Sequence, residues 1–245
     1  MKKIGLIIPP ADGTSPAECQ LLYPQLQFVT RGLGVREMSS SGFASAEDRI
    51  VECARSLGTL EVVAISVMGT SLTFHKGRDY NDALRRRLAA DLRLPVTTMS
   101  TAVVRALQAN GATRVALATA YTPDLNADLS KFLALYGIHT GGVVGLGIKS
   151  IDSVRPTSAR IVKEAAEQAV AQDPSVDALL ISCGGLPTVQ LHVPLEDTLG
   201  IPVISSLAAG LWDVVGLSGE DPRLTGFGKM FAAEPASAVP DERRV

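Results

Sequence analysis

The sequence has little of what announces a metal, a nucleotide or a nucleic acid. Its three histidines, His75, His139 and His192, stand far apart, and no C-x-x-C or H-x-x-x-H occurs, so the spacing of a metal site is missing. Cys19, Cys53 and Cys183 are an odd, scattered set, which excludes a disulfide framework and fits a reducing, cytoplasmic compartment. Long basic runs are absent: 23 Lys+Arg against 25 Asp+Glu leave a net charge of −2, too little to neutralise phosphates, so nucleic acid is not an expected partner. No apolar stretch approaches a membrane span, and the one at the N-terminus stops at Pro9-Pro10, too short for a secretory signal. Gly145-Leu-Gly-Ile-Lys-Ser150 and Gly32-Leu-Gly34 complete neither glycine-rich phosphate motif. Three scattered histidines support no Ser-His-Asp triad.

Aromatics are also scarce, at 4%, whereas 46% of residues are hydrophobic and Ala, Val, Leu and Gly abound. That usage suits buried Val/Ile strands alternating with Ala/Leu helices, an α/β chain. Short apolar runs at 4–8, 62–67, 96–98, 115–118, 143–144, 178–181 and 203–204 read as strands. Helices fall between them. One covers Ala46–Leu57, with Ser45 and Asp48 in capping-box spacing and Gly58 beyond its end. Another starts at Pro123 and stops by Gly137, and a third near Ser158–Gln172 places Ile161, Val162, Ala165 and Ala169 on its inner face. Alternation of this kind predicts parallel sheets covered by helices.

The chain also matches itself. Lys3–Ile8 aligns with Arg114–Thr119, Val62–Leu72 with Val176–Leu186, and Leu94–Thr98 with Ile201–Ser205, in the same order. One such match is what any α/β chain produces; three in order indicate duplication. Two pseudo-symmetric Rossmann-like halves follow, residues 1–111 and 112–206, with 207–231 completing the first and 232–245 forming a disordered tail. Ligands of open parallel sheets sit beyond the carboxyl ends of the strands. Facing halves therefore place the active site in the cleft between them, with Gly69 and Cys183, 114 residues apart, on opposite walls.

Cys183 ends an apolar run and is followed by Gly184 and Gly185, whose bare backbone lets N–H groups approach a ligand. A buried inert thiol is the ordinary alternative; the glycines favour a catalytic one. Cys53 falls at helical core spacing with Ile50, Ala54 and Leu57, and Cys19 lacks any partner pattern; both read as structural. Thr70 and Ser71, after the second strand run, offer hydroxyls and N–H groups suited to a carboxylate or enolate oxygen, or serve as a plain helix cap. Tyr121, at the tip of the strand that opens the second half, adds a phenol to the same anion, and Pro9-Pro10 forms a wall without donors.

Val67-Met-Gly-Thr-Ser-Leu72, Met99-Ser-Thr-Ala102, Ala116-Leu-Ala-Thr-Ala-Tyr121, Ser182-Cys-Gly-Gly-Leu186, Gly210-Leu-Trp-Asp213 and Gly226-Phe-Gly-Lys-Met-Phe231 together resemble the aspartate/glutamate racemase superfamily and, more closely, its arylmalonate decarboxylase family. The resemblance runs from Ile4 to about Phe231. Racemases and maleate isomerases of the superfamily use a cysteine from each half; the decarboxylases keep the second and have glycine at the first, as Cys183 and Gly69 do here. It implies a decarboxylase of malonate-type dicarboxylic acids that needs no cofactor or metal. Thr70, Ser71 and Tyr121 would hold one carboxylate in a dioxyanion hole, and Cys183 would protonate one face of the enediolate. Pro9, Leu72 and Gly184 would line the site, with Met68, Ile151 and Val154 on its apolar side. Phe43 and His75 stand where the decarboxylases carry tyrosines, which leaves the substrate's side group open. An amino-acid or hydantoin racemase, a maleate-type isomerase and a non-catalytic carboxylate-binding protein remain the alternatives.

Overall fold

In the computed structural model, which describes residues 1–43 and 46–234, the chain forms two parallel four-stranded sheets. The first half runs β1 (Lys3–Ile8), α1 (Ala17–Leu22), β2 (Gln27–Gly32), α2 (Ser40–Phe43), α3 (Ala46–Gly58), β3 (Val62–Val67), α4 (Thr70–Phe74), α5 (Arg78–Leu92), β4 (Val96–Thr98) and α6 (Met99–Ala109). The second runs β5 (Arg114–Thr119), α7 (Pro123–Ala134), β6 (His139–Gly145), α8 (Ala159–Gln172), β7 (Ala178–Ser182), α9 (His192–Leu199), β8 (Val203–Ser205) and α10 (Ser206–Leu217). Among the described residues no helix is long and apolar enough to cross a membrane.

Strand order is β2-β1-β3-β4 in one sheet and β6-β5-β7-β8 in the other, the same topology twice. The three self-matches coincide in register. Ile7 pairs with Val67 and Val67 with Thr98; in the second sheet Ala118 pairs with Ile181 and Ile181 with Ser205. The central strands are almost wholly buried, which is why they read as continuous apolar runs. β2 has no counterpart among the predicted strands. It is an edge strand with no fully buried residue, so its sequence lacks an apolar run. β6 extends well beyond the predicted 143–144, through Gly141 and Gly142. A Cβ on Gly142 would fall 1.9 Å from the Ala169 carbonyl oxygen, so α8 can approach β6 only over glycine.

The helix predicted after Ser158 forms, but Ile161 is 39% exposed, and the inner face is Val162, Ala165, Ala166 and Ala169. Three of the four expected residues, Val162, Ala165 and Ala169, point inward, and Ile161 turns outward, a difference that the Ala-rich sequence does not distinguish. Ser45 of the expected capping box lies outside the described residues. α10 is buried on nearly every side from Ser206 to Val215, since it packs on α6, β3 and β4 and also touches β7 and β8. Its one buried charge, Asp213, accepts from Arg105 Nη1 at 2.9 Å and from the Thr97 hydroxyl. Of the segment expected to be disordered from 232 onward, residues 232–234 are described: Trp212 Nε1 donates to the Ala233 carbonyl, and Arg223 pairs with the exposed Glu234. Residues 235–245 lie outside the described residues.

Candidate active site

Both sheets end at one cleft of about 400 Å³. Its walls are assembled where strands stop: Pro9 after β1, Met68 to Ser71 after β3, Met99 after β4, Tyr121 after β5, Cys183 to Leu186 after β7 and Leu207 after β8. Of the residues singled out in the sequence, Pro9, Met68, Gly69, Thr70, Ser71, Tyr121, Ile151, Val154, Cys183 and Gly184 line this cleft. Leu72 and Phe43 do not. Leu72 is buried against Gly69, where a Cβ would lie 2.5 Å from Leu72 Cδ1. Phe43 is buried behind Ser71: its ring packs 4.8 Å from that of His75, whose Nδ1 donates to the Ser71 carbonyl oxygen at 2.7 Å.

Cys183 has φ +139°, a conformation that side-chain-bearing residues rarely hold. The turn is closed by Leu186 N–H donating to the Cys183 carbonyl oxygen at 3.1 Å. The residue is partly accessible, yet burial pushes its thiol up to about 11, against a smaller opposing effect of the Gly185 N–H directed at the sulfur. That is well above the ordinary thiol value of about 8.5, so the group is a neutral S–H at neutral pH.

Tyr121 is fully enclosed, with Phe74 edge-on at 5.6 Å. Burial and the nearby Cys183 raise its phenol pKa, opposed by the facing hydroxyls of Ser182, Thr70 and Ser71, and it stays neutral. Its Oη is 3.2 Å from Ser182 Oγ. Thr70 is the first residue of α4, not its cap; Gly69 holds the cap position without a side-chain bond. Thr70 Oγ1 is buried with no hydrogen-bond partner among the described residues. It lies near enough to act on the phenol without bonding it. A buried hydroxyl left unspent is costly unless a ligand takes it. Ser100 Oγ donates to the Thr70 carbonyl at 2.8 Å and fixes this end of α4.

Several lining residues were not singled out in the sequence. Met38, Met99 and Leu186 join Met68, Ile151 and Val154 as apolar surface. Met38 reaches the cleft because its segment pairs across the halves: Met38 N–H donates to Lys149 O at 2.7 Å and Ile151 N–H to Arg36 O at 2.9 Å. The charged lining residues are Glu18, on α1, and the exposed Arg155, on the loop after β6, which pairs with Asp12 at 3.2 Å. The interior thus offers neutral hydroxyl donors, one neutral thiol and a thioether-rich apolar face. Met99 follows directly on Thr98, the last residue of β4, and so stands at the strand end where the cleft lies.

Duplicated α/β halves enclosing a cleft are a fold shared with maleate isomerases. The structure superposes on maleate isomerase from Pseudomonas putida S16 with maleate at TM-score 0.88 and 20% identity, over 95% of this chain and 98% of that one, a likeness of fold. A doubly substituted arylmalonate decarboxylase in liganded form, with glycine changed to cysteine and cysteine to serine, superposes at TM-score 0.92 and 38% identity, over 94% and 99%. Its two replaced positions are 114 residues apart, the separation of Gly69 and Cys183 here. Arylmalonate decarboxylase of Bordetella bronchiseptica is 39% identical over 229 residues, 93% of this chain and 95% of that protein. The family model for arylmalonate decarboxylase matches residues 4–231. The chain belongs to the arylmalonate decarboxylase family.

Proposed function

We propose that the protein is a cofactor-independent decarboxylase of aryl- or alkenyl-malonate diacids. The observation that carries this reading is one neutral thiol sharing a cleft with Gly69 and with the Thr70 hydroxyl, which is buried without a partner among the described residues. One carboxylate accepts from Thr70, Ser71 and Tyr121. The other lies against Met38, Met68, Ile151 and Val154, where poor solvation favours its loss as neutral CO₂. The C–C bond breaks, its electron pair passes into the retained carboxylate, and the enediolate oxygens gain charge in front of preorganised donors. Cys183 S–H gives its proton to the α-carbon, and the thiolate is reprotonated by solvent. The retained carboxylate is itself the electron sink, so the step calls on no cofactor. No second acid stands at Gly69, so protonation comes from one side.

Incubation with α-methyl-α-phenylmalonate in D₂O is expected to release one CO₂ per monoacid and to place one deuteron at the α-carbon in a single configuration. No CO₂ would sink the proposal; deuterium wash-in at the α-carbon of an amino acid or hydantoin without carbon loss would favour a racemase. The pH profile follows from the thiol. The active form is protonated, so activity persists below about 11 and is lost as pH rises through that value. A profile of kcat from pH 7 to 11 checks this; a loss centred near 8.5, the value of an ordinary thiol, would contradict it.

A further inference from the structure

The alignment of the halves that places Val67 over Ile181 and Thr98 over Ser205 in the sheets, continued by one residue, places Met68 over Ser182 and Met99 over Ser206. At these two equivalent positions one half carries thioethers and the other carries hydroxyls. On the methionine side the chains pack round glycines: a Cβ on Gly210 would fall 2.8 Å from Met68 Sδ, and one on Gly184 would fall 3.1 Å from Met99 Cε. On the serine side the hydroxyls form a line. Tyr121 Oη is 3.2 Å from Ser182 Oγ, and Ser182 Oγ is 3.0 Å from Ser206 Oγ. All three residues are buried, and the line ends at the cleft.

Proton counting fixes its direction once an anion is bound. A hydroxyl donates one hydrogen bond and accepts up to two. A carboxylate oxygen accepts only, so Tyr121 must spend its single proton on the ligand. Ser182 must then donate to Tyr121 Oη, and Ser206 to Ser182 Oγ. Each acceptance polarises the next O–H, and the gain grows with the charge at the cleft end. We infer that Ser182 and Ser206 are positioning residues for this reaction, a hydroxyl relay that aims and strengthens the Tyr121 donor as the enediolate forms. No proton moves along it. The inference rests on the decarboxylase reading and adds to it two residues that need not touch the substrate.

The test is a double-mutant cycle on α-methyl-α-phenylmalonate. A direct oxyanion donor is worth about 10²–10³ in kcat, so Tyr121→Phe should fall in that range. Ser182→Ala and Ser206→Ala, acting through it, should each lose about tenfold in kcat, with KM changed less than about twofold and product configuration kept. In the Tyr121→Phe background Ser206→Ala should cost nothing further, since the donor it serves is gone. Ser206→Thr, which keeps the hydroxyl, should restore the rate, and urea unfolding of each variant separates lost fold from lost rate. Unchanged kcat in both alanine variants, or losses that multiply in the double variant, would overturn the relay alone. Absence of CO₂ from the unaltered protein would overturn the decarboxylase reading and the relay with it.

Discussion

Replacing Cys183 with alanine is expected to lower kcat for decarboxylation about 10³-fold, the middle of the range for losing a positioned general acid. KM should stay within a few-fold, because in the proposed mechanism the retained carboxylate would be held by Thr70, Ser71 and Tyr121, which line the cleft at other strand ends. The backbone makes a second substitution informative. With φ at +139°, Cys183 occupies a region in which a side chain costs about 1–3 kcal/mol and glycine costs nothing. Alanine removes the thiol and keeps the strain; glycine removes both. Glycine loses part of the gain to its larger unfolded-state freedom, about 0.5–1 kcal/mol. Cys183→Gly should therefore be inactive yet melt roughly 2–4 °C above Cys183→Ala, the shift for about 1 kcal/mol in a chain of this size. Thermal unfolding and CO₂ release on the three proteins decide it. Equal melting temperatures for the two variants would remove the strain argument, and wild-type turnover in either would remove the thiol from the mechanism.

That strain marks the boundary of what the sequence makes legible. Cys183 was found because two glycines follow it and because its partner position holds glycine; its unusual φ leaves no trace in composition or spacing. The sheet cores were readable because strands buried on both faces become uninterrupted apolar runs, as in β3 and β7. β2 was not, since an edge strand shows water part of every residue, and Gln27 and Arg31 break the pattern. Leu72 and Phe43 were placed in the site by resemblance and lie behind it, filling space around Gly69 and His75. Met38 was invisible for a different reason: it reaches the cleft through backbone pairing with Lys149, a contact between distant segments that no local pattern encodes. Ser182 stands in the sequence only as the neighbour of Cys183, and Ser206, one residue past the last self-match, is not singled out at all. Their value as a pair depends on β7 and β8 lying side by side.

Gly69→Cys is expected to add a second proton route and to lose stability, and the two effects have one geometric cause. Gly69 has φ −159°, ordinary extended backbone that any residue adopts, so glycine is there for space and not for conformation. The space is already taken. A Cβ would fall 2.5 Å from Leu72 Cδ1, 2.9 Å from Leu72 Cγ and 3.1 Å from Pro9 Cγ. The Leu72 methyl can swing away, but its Cγ and the proline ring give less, so overpacking of about 1–3 kcal/mol follows. In a chain of this length that lowers the melting temperature by roughly 5 °C. Gly69→Ala carries the same Cβ without sulfur and should melt at nearly the same temperature, which isolates the steric cost. The thiol should show only in chemistry. With an acid/base on each wall, an α-aryl monoacid in D₂O should exchange its α-proton and lose configuration, from both enantiomers, without losing carbon. Gly69→Ala and the unaltered protein should leave a pure enantiomer unchanged. Chiral chromatography and the α-proton NMR signal read this directly. No exchange in a correctly folded Gly69→Cys protein would mean that the two positions do not face one α-carbon; one-sided protonation would then have to come from the way the substrate is seated, not from the missing thiol.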